Sequence, residues 1–320
     1  MSDSDANGNL YRGRYERAYG SLSLDAARPR FRAIVGTDNL PDTAEGKLAK
    51  SALEKFKTGN AEGPTPPELA ALEFLIRLVR PAPLFRKGVP EDFVAPEFNT
   101  AFPDWHTFQG LTRQWAYAVG RVDRVNGDPA GTGFLVAPTL LVTNNHVLDA
   151  ISYGVRKLAK GQANVRFQWE FECPPTEPPA DILRVVRVHE TLDACILEIA
   201  PVDMTNRKPF ELASELPDVF TEIVAVGYPF EDTSRNPLFI PEIFGNKFGV
   251  KRGAPGLVTG VGLKSSSIYH DCSTLGGNSG SPIVAMTTGA VVGLHTGGGF
   301  LWRNESVDCK ALREFIGQGQ

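Results

Sequence analysis

Two different patterns of hydrophobic and polar positions divide the chain near residue 113. Before that point, apolar residues recur three and four positions apart in the stretch 69–79, and the stretch 44–57 is rich in good helix formers. Thr65 and Glu68 have the spacing of a capping box and directly precede the stretch 69–79. We therefore predict a mainly helical extension over residues 1–113, in which residues 81–110 form an irregular connector.

From residue 114 the pattern changes to short apolar segments that are separated by Gly, Pro and Asn. Such segments are typical of strands, and many of them in succession indicate a sandwich or a barrel. This part of the chain, residues 114–320, is therefore predicted to be all-β. The predicted strands are 116–125, 133–136, 140–143, 165–169, 183–189, 194–199, 222–227, 256–262, 282–284 and 290–295.

Composition and charge exclude several classes of protein. Hydrophobic residues make up 42% of the 320 positions, which is enough for two or three compact units. A net charge of −4 gives no basic surface for nucleic acid, and no apolar run is long enough to span a membrane. The first residues lack the features of a signal peptide, so we expect a cytoplasmic protein. The four cysteines have no metal-type spacing, and we predict no metal, cofactor or disulfide framework.

The stretch 274–282 reads Thr-Leu-Gly-Gly-Asn-Ser-Gly-Ser-Pro and places Ser279 on a tight glycine turn. The absence of a side chain at Gly277 lets a carbonyl group approach the backbone closely. A serine becomes a nucleophile only beside a base and a site for the developing oxyanion. We therefore predict Ser279 as the nucleophile and the N–H groups of Gly277 and Ser279 as the oxyanion hole.

The base and its orienting acid are predicted from their positions beside strands. Of the five histidines, only His146 directly follows a predicted hairpin, whose rigid end would aim the ring. Asp193 opens a nearly continuous apolar strand, where a partly buried carboxylate persists only if it is paired. Asp181 and Asp271 are weaker alternatives because neither opens a comparable strand. His146 is thus the predicted base and Asp193 the group that orients it.

These residues carry a resemblance to a known family. The chain order His146, Asp193, Ser279 resembles that of the chymotrypsin-like (trypsin-like) serine peptidases, and the order excludes an α/β-hydrolase. The closer similarity is to the bacterial trypsin-like peptidases related to glutamyl endopeptidases. It spans about residues 114–300 and rests on the motifs at 131–136, 143–146, 226–229, 270–282 and 292–298.

The resemblance implies two six-stranded antiparallel β-barrels with the triad in the cleft between them. The first barrel would cover about residues 114–205, the second about 206–300, and a tail or helix would follow at 301–320. It also implies hydrolysis of peptide bonds through an acyl-enzyme, with a protein or peptide as substrate.

The resemblance further implies that residues before the nucleophile and the strand after it line the S1 pocket. These are Thr274, His295, Thr296 and Gly297. No aspartate stands where a trypsin binds lysine or arginine, so cleavage after basic residues is disfavoured. His295 and Thr274 resemble the histidine and hydroxyl that glutamyl endopeptidases use against a P1 carboxylate. An acidic P1 residue and a small or apolar one both remain open.

Asn278 bears on activation. Many secreted relatives have an acidic residue there that binds a new amino terminus, whereas an asparagine cannot anchor an ammonium group. We therefore predict no activation by cleavage and insertion, and a regulatory or docking role for residues 1–113 with a possible partner. One alternative is an extension that only packs on a barrel. Others are a protease-fold scaffold that stays latent until a partner orders its site, and an esterase that uses the same triad.

Overall fold

The computed structural model describes residues 44–58, 64–65, 67–68, 71–72, 80, 82–92, 102–231, 240–262, 265–298 and 304–317. The chain divides into two compact units. The first consists of Met1–Pro81, Phe93–Pro103 and Ser234–Asn246, and the second, the barrel unit, of Ala82–Asp92, Asp104–Thr233 and Lys247–Gln320. Residues 82–92 and 104–113 thus belong to the barrel unit, although they precede the boundary predicted at residue 114.

Five helices have bounds in the described part of the chain. They are α1 (Ala44–Thr58), α2 (Trp105–Trp115), α3 (Asn145–Ser152), α4 (Ile240–Phe244) and α5 (Cys309–Gly317). α1 confirms the helix predicted at 44–57, whereas most of the stretch 69–79 lies outside the described residues. None of the described helices is long and apolar enough to cross a membrane.

The predicted capping box is present in the first unit. Glu68 Oε2 accepts hydrogen bonds from the backbone N–H of Thr65 at 2.6 Å and from its hydroxyl at 2.9 Å. Ser51 and Lys55 of α1 also donate to this carboxylate. Burial raises the pKa of Glu68, but these hydrogen bonds outweigh it and lower the pKa to about 2. The carboxylate therefore fastens α1 to the start of the following segment.

The barrel unit contains two closed antiparallel barrels of six strands each, as the resemblance implied. The first barrel has the strand order β3-β4-β5-β8-β7-β6 and the second the order β10-β11-β14-β13-β12-β9. Buried positions alternate or run together along these strands, because each barrel packs its inward side chains into a core. A small hairpin, β1 (Phe85–Arg86) and β2 (Val89–Pro90), precedes the barrel strands in the chain.

The first barrel is built from β3 (Val119–Arg124), β4 (Pro129–Ala137), β5 (Leu140–Thr143), β6 (Ala163–Arg166), β7 (Ala180–Val188) and β8 (Cys195–Ile199). The second is built from β9 (Glu222–Gly227), β10 (Arg252–Gly262), β11 (Ser267–His270), β12 (Pro282–Ala285), β13 (Val291–Gly298) and β14 (Asn304–Asp308). Every predicted strand overlaps one of these, but β11 and β14 were not predicted. β14 lies in the stretch assigned to the tail, so the second barrel extends beyond residue 300.

Residues 82–92 connect the two barrels to each other. The N–H of Phe85 donates to the carbonyl of Lys251 at the start of β10, in the second barrel. The N–H of Gly88 donates to the carboxylate of Glu170, which follows β6 of the first barrel, at 3.1 Å. Between these contacts, Lys251 Nζ lies 3.5 Å from Glu170 Oε1. This segment of the predicted leader is therefore part of the framework that holds the barrels together.

Candidate active site

The turn that carries Ser279 has the backbone that the glycines predicted. Gly277 has a φ of +88°, and a Cβ atom there would lie 2.3 Å from the carbonyl oxygen of Tyr228. Gly280 has a φ of +87°, and its Cβ would lie 1.9 Å from the carbonyl oxygen of Thr132. Such distances are shorter than any van der Waals contact, so only glycine fits at either position.

The N–H groups of this turn divide into two sets. Those of Asn278, Gly280 and Ser281 donate to backbone carbonyls at 3.2, 2.9 and 2.9 Å. Those of Gly277 and Ser279 have no acceptor among the residues that the structure describes. Two N–H groups left open beside a serine are what an oxyanion hole requires.

His146 lies in the first turn of α3, three residues after β5 ends at Thr143. Its ring Nδ1 lies 2.6 Å from Asp193 Oδ2, and its backbone N–H donates to Asp193 Oδ1 at 3.1 Å. The side chain of His146 is 48% exposed and that of Asp193 33%. The carboxylate is thus partly buried, as predicted, and the other ring nitrogen of His146 is left for a second partner.

Two residues that the sequence reasoning did not assign hold the loop before β8. Asn144 Nδ2 donates to the carbonyl of Asp193 at 2.7 Å. Asn145 Nδ2 donates to the carbonyls of His189 and Leu192 at 3.0 and 2.9 Å. Because these amides directly precede His146, one short segment fixes the positions of both His146 and Asp193. The Asn-Asn pair next to the histidine was the sequence signal for this role.

The serine turn and the histidine helix meet at Gly131, in β4. A Cβ atom at Gly131 would lie 2.6 Å from a methyl carbon of Val147 and 3.0 Å from the carbonyl oxygen of Ser279. The structure therefore brings Ser279 and the residue next to His146 close to the same glycine. Among the described residues, no hydrogen bond joins the Ser279 hydroxyl to His146. Such bonds are often long without substrate and tighten when it binds.

The two alternative acids lie elsewhere. Asp271 is 1% exposed and accepts a hydrogen bond from the N–H of Leu257 at 2.6 Å, inside the second barrel. Asp181 lies in β7 and pairs with Asn164 of β6. Of the three candidates, Asp193 is the one that contacts His146.

The predicted S1 residues lie at the edge of the second barrel. The Thr274 hydroxyl donates to Asn304 Oδ1 at 2.9 Å, and Asn304 Nδ2 donates to the carbonyl of Cys272 at 2.6 Å. The Thr274 proton is therefore committed to Asn304, which sequence reasoning had not assigned. Thr296 and Gly297 continue along β13, where the Thr296 hydroxyl donates to a backbone carbonyl of β14 at 2.9 Å.

His295 is 2% exposed, and its Nδ1 lies 3.2 Å from Nε2 of His270, which is fully buried. Burial lowers the pKa of His295 to about 3, and the nearby His146 adds to the shift. The Nδ1 of His270 accepts a hydrogen bond from the N–H of Cys272 at 3.3 Å. The only proton of a neutral His270 is then on Nε2, so it points at His295 Nδ1. A neutral His295 must carry its own proton on Nε2.

Comparison with known proteins identifies the family of this chain. The family model for the trypsin-like peptidase domain matches residues 131–294, which is half of the chain. The chain belongs to the trypsin-like peptidase domain family. A curated protein of Lysobacter enzymogenes, described as a "Probable serine protease", is 26% identical over 207 residues. The match covers 53% of this chain and 54% of that protein, so it spans about half the length of the curated relative.

Solved structures that are similar to this chain have low sequence identity to it. A serine endoprotease from Yersinia pestis is 17% identical, with a TM-score of 0.48, over 66% of this chain and 65% of that chain. A protease of Mycobacterium tuberculosis in its inactive form is 16% identical, with a TM-score of 0.44, over 71% of this chain and 97% of that chain.

In the described ranges, no three His, Cys, Asp or Glu side chains group closely enough to hold a metal ion.

Proposed function

We propose that this member of the trypsin-like peptidase domain family is a serine endopeptidase. The observation that carries the proposal is the 2.6 Å contact between His146 Nδ1 and Asp193 Oδ2, on a helix that meets the Ser279 turn at Gly131. A carboxylate in that place keeps the imidazole in the tautomer whose Nε2 can accept a proton. The two open N–H groups beside Ser279 support the same conclusion.

The mechanism follows from these positions. Ser279 Oγ attacks the scissile carbonyl carbon while His146 Nε2 takes the hydroxyl proton, and the carbonyl oxygen becomes an oxyanion held by the N–H groups of Gly277 and Ser279. The C–N bond then breaks as His146 gives its proton to the leaving amine. Water attacks the remaining ester with His146 again as base, and the acid product leaves with Ser279 restored. Asp193 stays ionised and stabilises the imidazolium throughout.

Labelling and hydrolysis test this proposal together. A fluorophosphonate should label the wild-type protein, and S279A should lose both labelling and peptide hydrolysis. S214A, which removes an exposed serine, should keep both. Hydrolysis by S279A at the wild-type rate would refute the assignment of the nucleophile. A wild-type protein that is folded but is not labelled would instead favour the alternative of a latent scaffold. The structural observation behind that alternative is that, among the described residues, no hydrogen bond joins Ser279 to His146. Parallel assays with peptide and ester substrates separate a peptidase from an esterase.

We also propose a preference for an acidic P1 residue. Burial keeps His295 neutral, and the hydrogen-bond chain from Cys272 through His270 leaves the proton of His295 on Nε2. A carboxylate can accept a hydrogen bond from this N–H group, so that the buried imidazole stays neutral. Because Thr274 already donates to Asn304, His295 rather than Thr274 would be the donor. A small or apolar P1 residue is the competing outcome.

Peptides that differ only at P1 decide between these outcomes. We expect kcat/KM to be higher for Glu than for Gln, Ala or Leu, and H295A to abolish that preference while it still cleaves an Ala substrate. A wild-type preference for Ala or Leu would contradict the proposal. The regulatory role of residues 1–113, their partner and the cytoplasmic location stay predictions. Mass spectrometry of the active protein tests the regulatory role, because loss of residues 1–113 on activation would contradict that role.

A further inference from the structure

Thr132 lies in β4 of the first barrel, is fully buried, and directs its polar groups at the serine turn of the second barrel. Its hydroxyl donates to the carbonyl of Gly277 at 2.7 Å. Its backbone N–H donates to the carbonyl of Ser279 at 2.8 Å. One residue of the first barrel therefore holds both residues that contribute the open N–H groups.

The direction of the Thr132 hydroxyl is fixed by a third contact. The N–H of Tyr228 donates to Thr132 Oγ1 at 3.2 Å, so this oxygen is already an acceptor on one side. Its single proton is left for the Gly277 carbonyl. The carbonyl of Thr132 accepts a hydrogen bond from the hydroxyl of Thr143 at 2.6 Å. This bond anchors Thr132 within its own barrel.

The orientation of an oxyanion hole depends on the peptide planes around it. The plane that contains the Gly277 N–H is held by the N–H of Phe230, which donates to the Gly276 carbonyl at 2.7 Å. The next plane, between Gly277 and Asn278, is held at its carbonyl by the Thr132 hydroxyl. Gly277 has a glycine's freedom to rotate, with a φ of +88°, so the open N–H group stays in place only if both planes are fixed.

We propose that the Thr132 hydroxyl is a positioning group for the oxyanion hole, acting through the Gly277 carbonyl. The inference rests on the proposed function, because it assigns the open N–H groups to a transition state. Preorganised donors stabilise developing charge without moving at the moment of reaction, and looser donors lose that advantage. Removal of the hydroxyl should therefore weaken transition-state binding more than substrate binding.

The test compares T132V, which keeps the shape but lacks the hydroxyl, with T132S, which keeps the hydroxyl. We expect T132V to lower kcat by about 10- to 100-fold with KM changed less than about twofold, and to slow fluorophosphonate labelling in parallel. T132S should restore kcat to within about threefold of wild type. T112V is the matched control, since the buried Thr112 hydroxyl also donates to a backbone carbonyl, at 2.8 Å, but lies in α2. It should leave kcat unchanged.

Each outcome bears on the inference. A folded T132V with wild-type kcat would overturn it, and so would an equal loss in T112V, because the effect would then be general destabilisation. If T132V does not fold, T132A serves in its place, with far-ultraviolet circular dichroism to verify folding. For either variant, the affinity for a peptide boronate should fall more than that for the product peptide, and equal losses would overturn the inference. If the wild-type protein itself is not labelled, the proposed function fails and not only the role of Thr132.

Discussion

Asp193 holds His146 by two separate hydrogen bonds, one from the ring Nδ1 and one from the backbone N–H. Each carboxylate oxygen therefore accepts one bond from the same residue. The first fixes the tautomer of the ring and the second fixes the start of α3. An amide in place of the carboxylate could not satisfy both, because one of its two ends is a donor.

We predict that D193N lowers kcat/KM by about 10⁴-fold, because the amide turns the imidazole to the wrong tautomer and leaves the imidazolium unstabilised. Steady-state hydrolysis of a peptide substrate measures this. D149N is the matched control, since Asp149 lies on the same helix as His146, pairs with Arg156 and is close enough for His146 to help lower its pKa. A D149N rate within about threefold of wild type is expected from a screened charge. Equal losses in both variants would mean that general charge, and not the hydrogen bond, is responsible.

Gly277 and Gly276 are adjacent glycines with opposite surroundings. A Cβ atom at Gly277 would meet the Tyr228 carbonyl at 2.3 Å, whereas one at Gly276 would meet nothing within 4 Å. We predict that G277A lowers kcat by about 10²- to 10³-fold, because the turn must shift and one oxyanion donor is lost. G276A should retain activity. Burst kinetics with an activated ester measure the acylation step directly, and full activity in G277A would contradict the assigned oxyanion hole.

The hydrophobic pattern was sufficient for ten of the twelve barrel strands because most strands bury apolar side chains, whereas their arrangement in two barrels was implied by the resemblance. β8 (Cys195–Ile199) and β9 (Glu222–Gly227) are apolar nearly throughout, so their pattern predicts them without knowledge of a partner. β14 reads Asn-Glu-Ser-Val-Asp and buries four of its five residues, three of them polar. One of them, Asn304, accepts a hydrogen bond from the hydroxyl of Thr274, thirty positions away. A local pattern cannot reveal such pairing.

The same limit applies to the candidate site. Ser279, His146 and Asp193 were predicted because each has a local signature, a glycine turn, a hairpin end or an apolar strand. The partners of the supporting residues cannot be predicted from such a signature. The bond from Thr132 to Gly277 spans 145 residues, and the bond from Asn144 to Asp193 spans 49. The first contact exists only after the two barrels have come together, and the second only after β5 and β8 have paired within the first barrel. Both therefore follow from the fold and not from any single segment.

His295 gives a prediction for stability at acid pH. Its pKa in the folded protein is about 3, because burial opposes the charge, against an ordinary value of 6.5. Between these values the unfolded chain takes up a proton that the folded protein does not. The contribution of the neutral, buried His295 to the free energy of unfolding is therefore complete above pH 6.5. It is lost as the pH falls toward 3, by up to about 1.4 kcal/mol per pH unit. Urea unfolding of wild type and H295Q from pH 4 to 7 measures it. The wild-type slope should be the steeper, and identical slopes would contradict the neutral, buried state of His295.

The pair Glu170 and Lys251 joins the barrels through a buried charge. Lys251 Nζ donates to the carbonyls of Ala116 and Phe167 at 2.7 Å and lies 3.5 Å from Glu170. Burial lowers the pKa of Lys251 to about 8, although Glu170 favours its charged form.

We predict that E170Q lowers the free energy of unfolding by about 3–5 kcal/mol at pH 7, because it leaves a buried ammonium without its counter-charge. The loss should shrink above pH 8, where the lysine gives up its proton instead. E172Q is the control, since Glu172 pairs with Arg86 at a side chain that is 64% exposed and should cost about 1 kcal/mol or less. Urea unfolding at pH 7 and pH 9 gives both values. A loss in E170Q that is the same at both pH values would contradict the role assigned to the charge of Lys251.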